Sequence, residues 1–246
     1  MILPNVRASF GRAEATYVLG LLTRGDSEAR AREEDRLREE GFDAILDDPR
    51  TLNAVMTAGG LTSTAPAPLV FYLLVRHALL ENGIQDRLIA DYLASLLLEF
   101  SRAGRAQRIE ASSEEQYDYL ADIVQALSSA SGRRAFLLRA HLGNTALWLS
   151  GLFPDYITAR VHRRGAPGIE YYEEMGATGY ALAADTADAE SYGLDGLYRS
   201  CARSFPALRI ALNTMSDRYL FPMVREPIDR LLRQVADRFR VRYQAH

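Results

Sequence analysis

Helix punctuation recurs along almost the whole of this chain at intervals of ten to twenty residues, and it leaves no stretch free for a sheet. Ser9 stands before Phe10, Ala13, Tyr17, Val18, Leu21 and Leu22, which follow the helical period. Asp26 can cap the segment SEARAREEDRLREE, which Gly41 would end. Asp48-Pro49 pairs a cap with a proline at the first helical position, and that helix should stop at Gly59-Gly60. Asp86 opens a broad stripe of Leu88, Ile89, Tyr92, Leu93, Leu96, Leu97 and Phe100, and Ser113-Glu114-Glu115-Gln116 reads as a capping box. Ser131 or Gly132 begins the longest apolar helix, to residue 153; further helices fit 69–80, 155–164, 169–184, 186–203, 206–219 and 226–242. No run alternates apolar and polar residues as a half-buried strand must. The pattern therefore predicts an all-α, single-domain multi-helix bundle over 1–246, of about nine to eleven helices, with a weak boundary at 104–112. With 246 residues, 48% of them apolar, the chain is long enough to bury a sizeable core.

All 29 basic residues are arginine, as a GC-rich genome would favour. Without a lysine ε-amine there is no Schiff base, no P-loop lysine and no kinase-type phosphate lysine, which sets aside the usual pyridoxal enzymes, Walker-type NTPases and protein kinases. Cys201 is the single cysteine, so neither an intrachain disulfide nor a cysteine-rich metal cage is available. The segment MILPNVRASF lacks a signal pattern and no apolar run approaches the roughly 20 residues of a membrane span, so a cytoplasmic protein is expected. None of the four histidines has an acid three positions before it and no two are spaced i, i+4, so the di-iron signature is missing. Asp43/Asp47 and Asp118/Asp122 have the i, i+4 spacing of magnesium-binding aspartates, but pairs at that spacing are expected by chance among 16 aspartates. Ser150 lacks the first glycine of a nucleophile elbow, and no glycine-rich phosphate loop is present. The residues thus specify no catalytic set, no metal and no cofactor.

Two stretches stand out. In LRAHLGNTALWLSGLFPD, residues 138–155, His141, Asn144, Thr145 and the only tryptophan, Trp148, fall on one helical face. Burying such polar groups without partners costs about 1–3 kcal/mol each, so they need either a satisfied core network or a ligand. In IEYYEEMGATGY, residues 169–180, Gly176 and Gly179 each cost about 1 kcal/mol inside a helix. Close approach of another helix or of a ligand would offset that. Tyr171 and Tyr172 are positioned to complete a small-molecule pocket begun by His141, Asn144, Thr145 and Trp148. The motifs G-N-x-x-L-W-x-S-G-L-F-P-D (Gly143 to Asp155) and Y-Y-x-x-x-G-x-x-x-Y (Tyr171 to Tyr180) resemble those of a family of bacterial all-helical proteins. The resemblance covers about a sixth of the chain and implies a bacterial helical protein, with no activity attached.

Charge is uneven: residues 1–198 hold 19 arginines against 28 acids, and 199–246 hold 10 against 4. Arg160, Arg163 and Arg164, beside His162, make a basic helix end that suits the macrodipole and offers an anion site. In the last segment Ile228, Leu231, Leu232, Val235 and Phe239 share a face ringed by arginines. Such a helix packs on its own core, or meets a partner helix or a membrane surface. The acidic body and the missing motifs argue against nucleic acid. The expected function is therefore non-enzymatic, through contact with a protein partner or a second copy as a homodimer. The alternative is a small-molecule-binding protein or enzyme with a pocket at His141, Asn144, Thr145, Trp148, Tyr171 and Tyr172.

Overall fold

The structure is a computed structural model and describes residues 1–62 and 65–221. Within these residues the chain is all-α, with thirteen α-helices and no strand. No described helix is long and apolar enough to cross a membrane. The helix count exceeds the expectation because the six-residue α3 precedes the helix that Asp48-Pro49 opens, and because Gly193, at φ +65°, cuts the expected helix 186–203 into the five-residue α11 and α12. Contacts cluster into two units, Ile2–Leu98 and Met1 with Glu99 onward. The expected helix 226–242, with its arginines, lies outside the described residues.

The first unit holds α1 (Arg12–Thr23), α2 (Ser27–Glu40), α3 (Phe42–Asp47), α4 (Pro49–Thr57), α5 (Ala67–Glu81) and most of α6 (Arg87–Phe100). Asp26 accepts from the N–H groups of Glu28 and Ala29, Asp48 from that of Arg50, and Asp86 from Leu88 at 2.8 Å. Each thereby satisfies orphan donors of a first turn, as the sequence predicts. Ser9 does not cap α1; its hydroxyl donates to Val6 O in a short 3₁₀ turn, and the Glu14 carboxylate takes the Gly11 N–H instead. α5 is apolar almost all round and buried from Leu69 to Leu79 except at Phe71. Arg76 is buried within it and forks onto Asp47 at 2.7 and 3.0 Å while donating to Gln85 O at 2.9 Å. Burial pushes the Asp47 carboxyl up, but hydrogen bonds from Arg76 and Arg87 outweigh it and hold the group ionised. α2 buries no residue and is held by ion pairs, notably Arg36–Asp48 at 2.6 Å and Arg50–Glu33 at 3.0 Å.

From Glu99 onward the chain forms α7 (Leu120–Leu127), α8 (Gly132–Leu152), α9 (Pro154–Arg164), α10 (Ile169–Ala184), α11 (Ala187–Ser191), α12 (Asp195–Arg203) and α13 (Phe205–Met215), then a π-helical turn, Ser216–Leu220. The box expected at Ser113 does not form. Glu115 is taken by the Tyr117 hydroxyl at 2.5 Å and by Arg134, and α7 starts later, where Asp122 accepts from Tyr119 N–H.

α8 and α10 cross without side chains between their backbones. A Cβ on Gly179 would lie 2.8 Å from both Arg139 O and Gly143 N of α8. One on Gly143 would strike the Tyr180 ring, and one on Gly176 would meet Phe205 and Ala146. The intrahelical glycines therefore buy a tight crossing. The end of α8 is closed by α13 and the π turn: Asn213 Nδ2 donates to Ser150 O and Gly151 O at 2.8 and 2.6 Å, and Ser216 to Leu152 O at 3.0 Å. Asn213 is itself held by the buried Arg209, which also pairs with Glu173 of α10 at 2.6 Å.

Gly179→Ala should destabilise the protein by about 2–3 kcal/mol, since a backbone must move to admit the methyl group. Gly20→Ala, in open space on the exposed side of α1, should stabilise it by up to about 1 kcal/mol. Urea denaturation of the two variants checks this, and equal effects would contradict the crossing geometry.

Candidate functional site

The polar face of α8 divides. His141, Asn144 and Thr145 are all buried. Asn144 Oδ1 accepts from the Tyr180 hydroxyl of α10 at 2.9 Å, across the glycine crossing. On the other side, Thr145 Oγ1 lies 3.4 Å from His141 Nε2. The imidazole packs against Phe100 and Tyr117, with ring centroids at 5.9 and 6.2 Å. Burial, reinforced by the nearby Arg105 charge, pushes the His141 pKa down to about 3. The ring is therefore neutral at physiological pH and is no proton shuttle there. Trp148 is half-buried and clamped edge-on by Phe100 and Phe153, at 5.6 and 5.5 Å.

Tyr171 and Tyr172 do not join this group. They stack edge-to-face on each other at 5.8 Å. Burial raises the Tyr172 hydroxyl pKa, with Arg160 and Tyr156 of α9 among the charges it feels. Among the described residues, neither tyrosine makes a ring contact or hydrogen bond with His141, Thr145 or Trp148. Of the aspartates at i, i+4 spacing, Asp43 pairs with Arg7, Asp47 with Arg76 and Arg87, and Asp122 accepts from Tyr119 N–H, and among the described residues no three histidine, cysteine or acidic side chains cluster as a metal site would need.

A different concave site lies on α9. Tyr156, Ala159, Arg160 and Arg163, at i, i+3, i+4 and i+7, share one face and, with Tyr119 at the start of α7, line an open cleft of about 250 Å³. The Arg160 guanidinium sits over both rings, 5.1 Å from the Tyr119 centroid and 5.4 Å from that of Tyr156. Ile157 anchors the opposite face of the helix in the core. Neither Arg160 nor Arg163 has a carboxylate partner among the described residues. Two of the three arginines expected to bind an anion thus meet in one cleft, whereas the Arg164 side chain lies outside the described residues. The sequence reading missed the tyrosines. Tyr156 was accessible from its i, i+4 spacing to Arg160, but Tyr119 is distant in sequence and only the packing of α7 supplies it.

No family model, curated protein or solved structure matches the chain.

The buried histidine makes stability depend on pH. In the unfolded chain His141 takes up a proton near pH 6.5, whereas in the folded chain it does so only near 3. Falling pH therefore favours unfolding across that window, by about 2 kcal/mol at pH 5 from this residue. His77, also lowered by burial, acts in the same direction. Between pH 7.5 and 5.0 the unfolding free energy of His141→Gln should fall less steeply than that of the parent chain; parallel slopes would show that His141 is solvated.

Proposed function

We propose that the chain acts through protein–protein contact, as a homo-oligomer or with another polypeptide, and that the cleft of Tyr119, Tyr156, Arg160 and Arg163 is the contact face. One observation carries the reading: two tyrosine rings and two arginines lacking carboxylate partners among the described residues share an open concavity of about 250 Å³. Small-molecule sites enclose roughly 300–1,000 Å³ and bury most of their ligand. This cleft is smaller and open, which suits a few side chains of a partner surface. Tyrosine and arginine are also the residues that dominate binding energy at protein interfaces. Tyr119 and Tyr156 remain 48% and 51% exposed, with area left for a partner to cover. The alternative pocket at His141, Asn144, Thr145 and Trp148 has less support, because its polar groups face one another or Tyr180 within the core.

A photo-crosslinking residue at Tyr156 tests the reading in cells, with the exposed Leu182 as control position. Discrete protein adducts at 156 and not at 182 are expected, with twice the 27.5 kDa chain mass if the partner is a second copy. No adduct at 156, together with a monodisperse monomer in light scattering, would remove the proposal.

A further inference from the structure

The outer half of α9 gathers positive charge at a helix C-terminus, where the macrodipole stabilises it. Arg160 is also flanked by two rings. Held over two tyrosine rings, its guanidinium keeps its charge but has less rotamer freedom to lose when it forks onto an anion. Arg163, one turn on, adds a second charge on the same face. The planar fork of arginine matches a carboxylate in two parallel hydrogen bonds, and the flanking rings offer apolar area to the methylenes that carry it.

The size of the cleft narrows the ligand further. An opening of about 250 Å³ admits one or two side chains, which suits a short stretch with a few carboxylates.

Resting on the protein-contact reading above, we propose that the cleft docks an acidic segment of a polypeptide. One glutamate or aspartate sits on Arg160 and Arg163, and the neighbouring side chain lies across Tyr119 and Tyr156.

Fluorescence anisotropy with the full chain tests this, using a fluorescein-labelled ten-residue peptide of alternating glutamate and alanine and the same peptide with glutamine. The glutamate peptide should bind at least about tenfold more tightly, and its binding should weaken as salt screens the pair. Arg160→Gln with Arg163→Gln should abolish the preference, and Tyr156→Ala should weaken binding severalfold. If the double variant loses its helical circular dichroism, Arg163→Gln alone should still cut the preference, since Arg163 is exposed and, among the described residues, makes no ion pair or cation–π contact that its loss would break. Equal binding of the two peptides, or binding indifferent to both arginines, would overturn the acidic-segment proposal. Should crosslinking at Tyr156 persist in that case, the contact face would stand and only the nature of its partner would change. If crosslinking is lost as well, both proposals fall.

Discussion

Everything from Glu99 onward depends on how closely α8 and α10 approach. The contact is backbone against backbone where Gly179 meets Arg139 O and Gly143 N, and no residue larger than glycine fits at that point. Two intrahelical glycines in α10 cost about 2 kcal/mol in propensity. The close approach repays this by bringing Tyr180 over Gly143 and within hydrogen-bonding distance of Asn144. A polar group that would be expensive in an apolar core thus acquires its partner from the same geometry that packs the helices. The far end of α8 follows suit, with Asn213 and Ser216 taking the carbonyl groups that a helix terminus leaves unsatisfied.

Charge has a parallel role in the first unit. Arg76 is buried, and its cost is offset by the two-bond fork to Asp47 together with a backbone carbonyl, which fixes α3 against α5. α2, by contrast, has no buried residue, and pairs such as Arg30–Glu34 and Arg36–Glu40 run along its own exposed surface. Exposed pairs of this kind contribute roughly 0–1 kcal/mol each, so what ties α2 to its neighbours is mainly the part-buried pairs Arg36–Asp48 and Arg50–Glu33.

What the sequence discloses and what it hides divide by distance along the chain. Asp26, Asp48 and Asp86 are legible as caps because each aspartate bonds N–H groups two or three residues on. The glycines of α10 are legible as a close approach, although nothing local says whether a helix or a ligand supplies it. Ser113 misleads because residues 113–118 do not become helical: Tyr117 N–H donates to Gln107 O, and Glu115 goes to Arg134, nineteen residues further on. The spacing of Asp43 and Asp47 is visible, yet the three arginines that neutralise them come from positions 7, 76 and 87. In the cleft, the basic turn at 160–163 can be read directly, whereas its aromatic wall cannot: Arg160 and Tyr119 are 41 positions apart and meet only after α7 and α9 have packed.

The clamp around Trp148 bears on how the chain would be seen to unfold. With a single tryptophan in the sequence, and that ring held by Phe100 and Phe153, indole emission reports on a cluster within the unit that begins at Glu99. The helices of Ile2–Leu98 carry no tryptophan and contribute to circular dichroism. Coincident transitions by the two spectroscopies would mark one cooperative block, and a helical signal that melts apart from the indole signal would mark two.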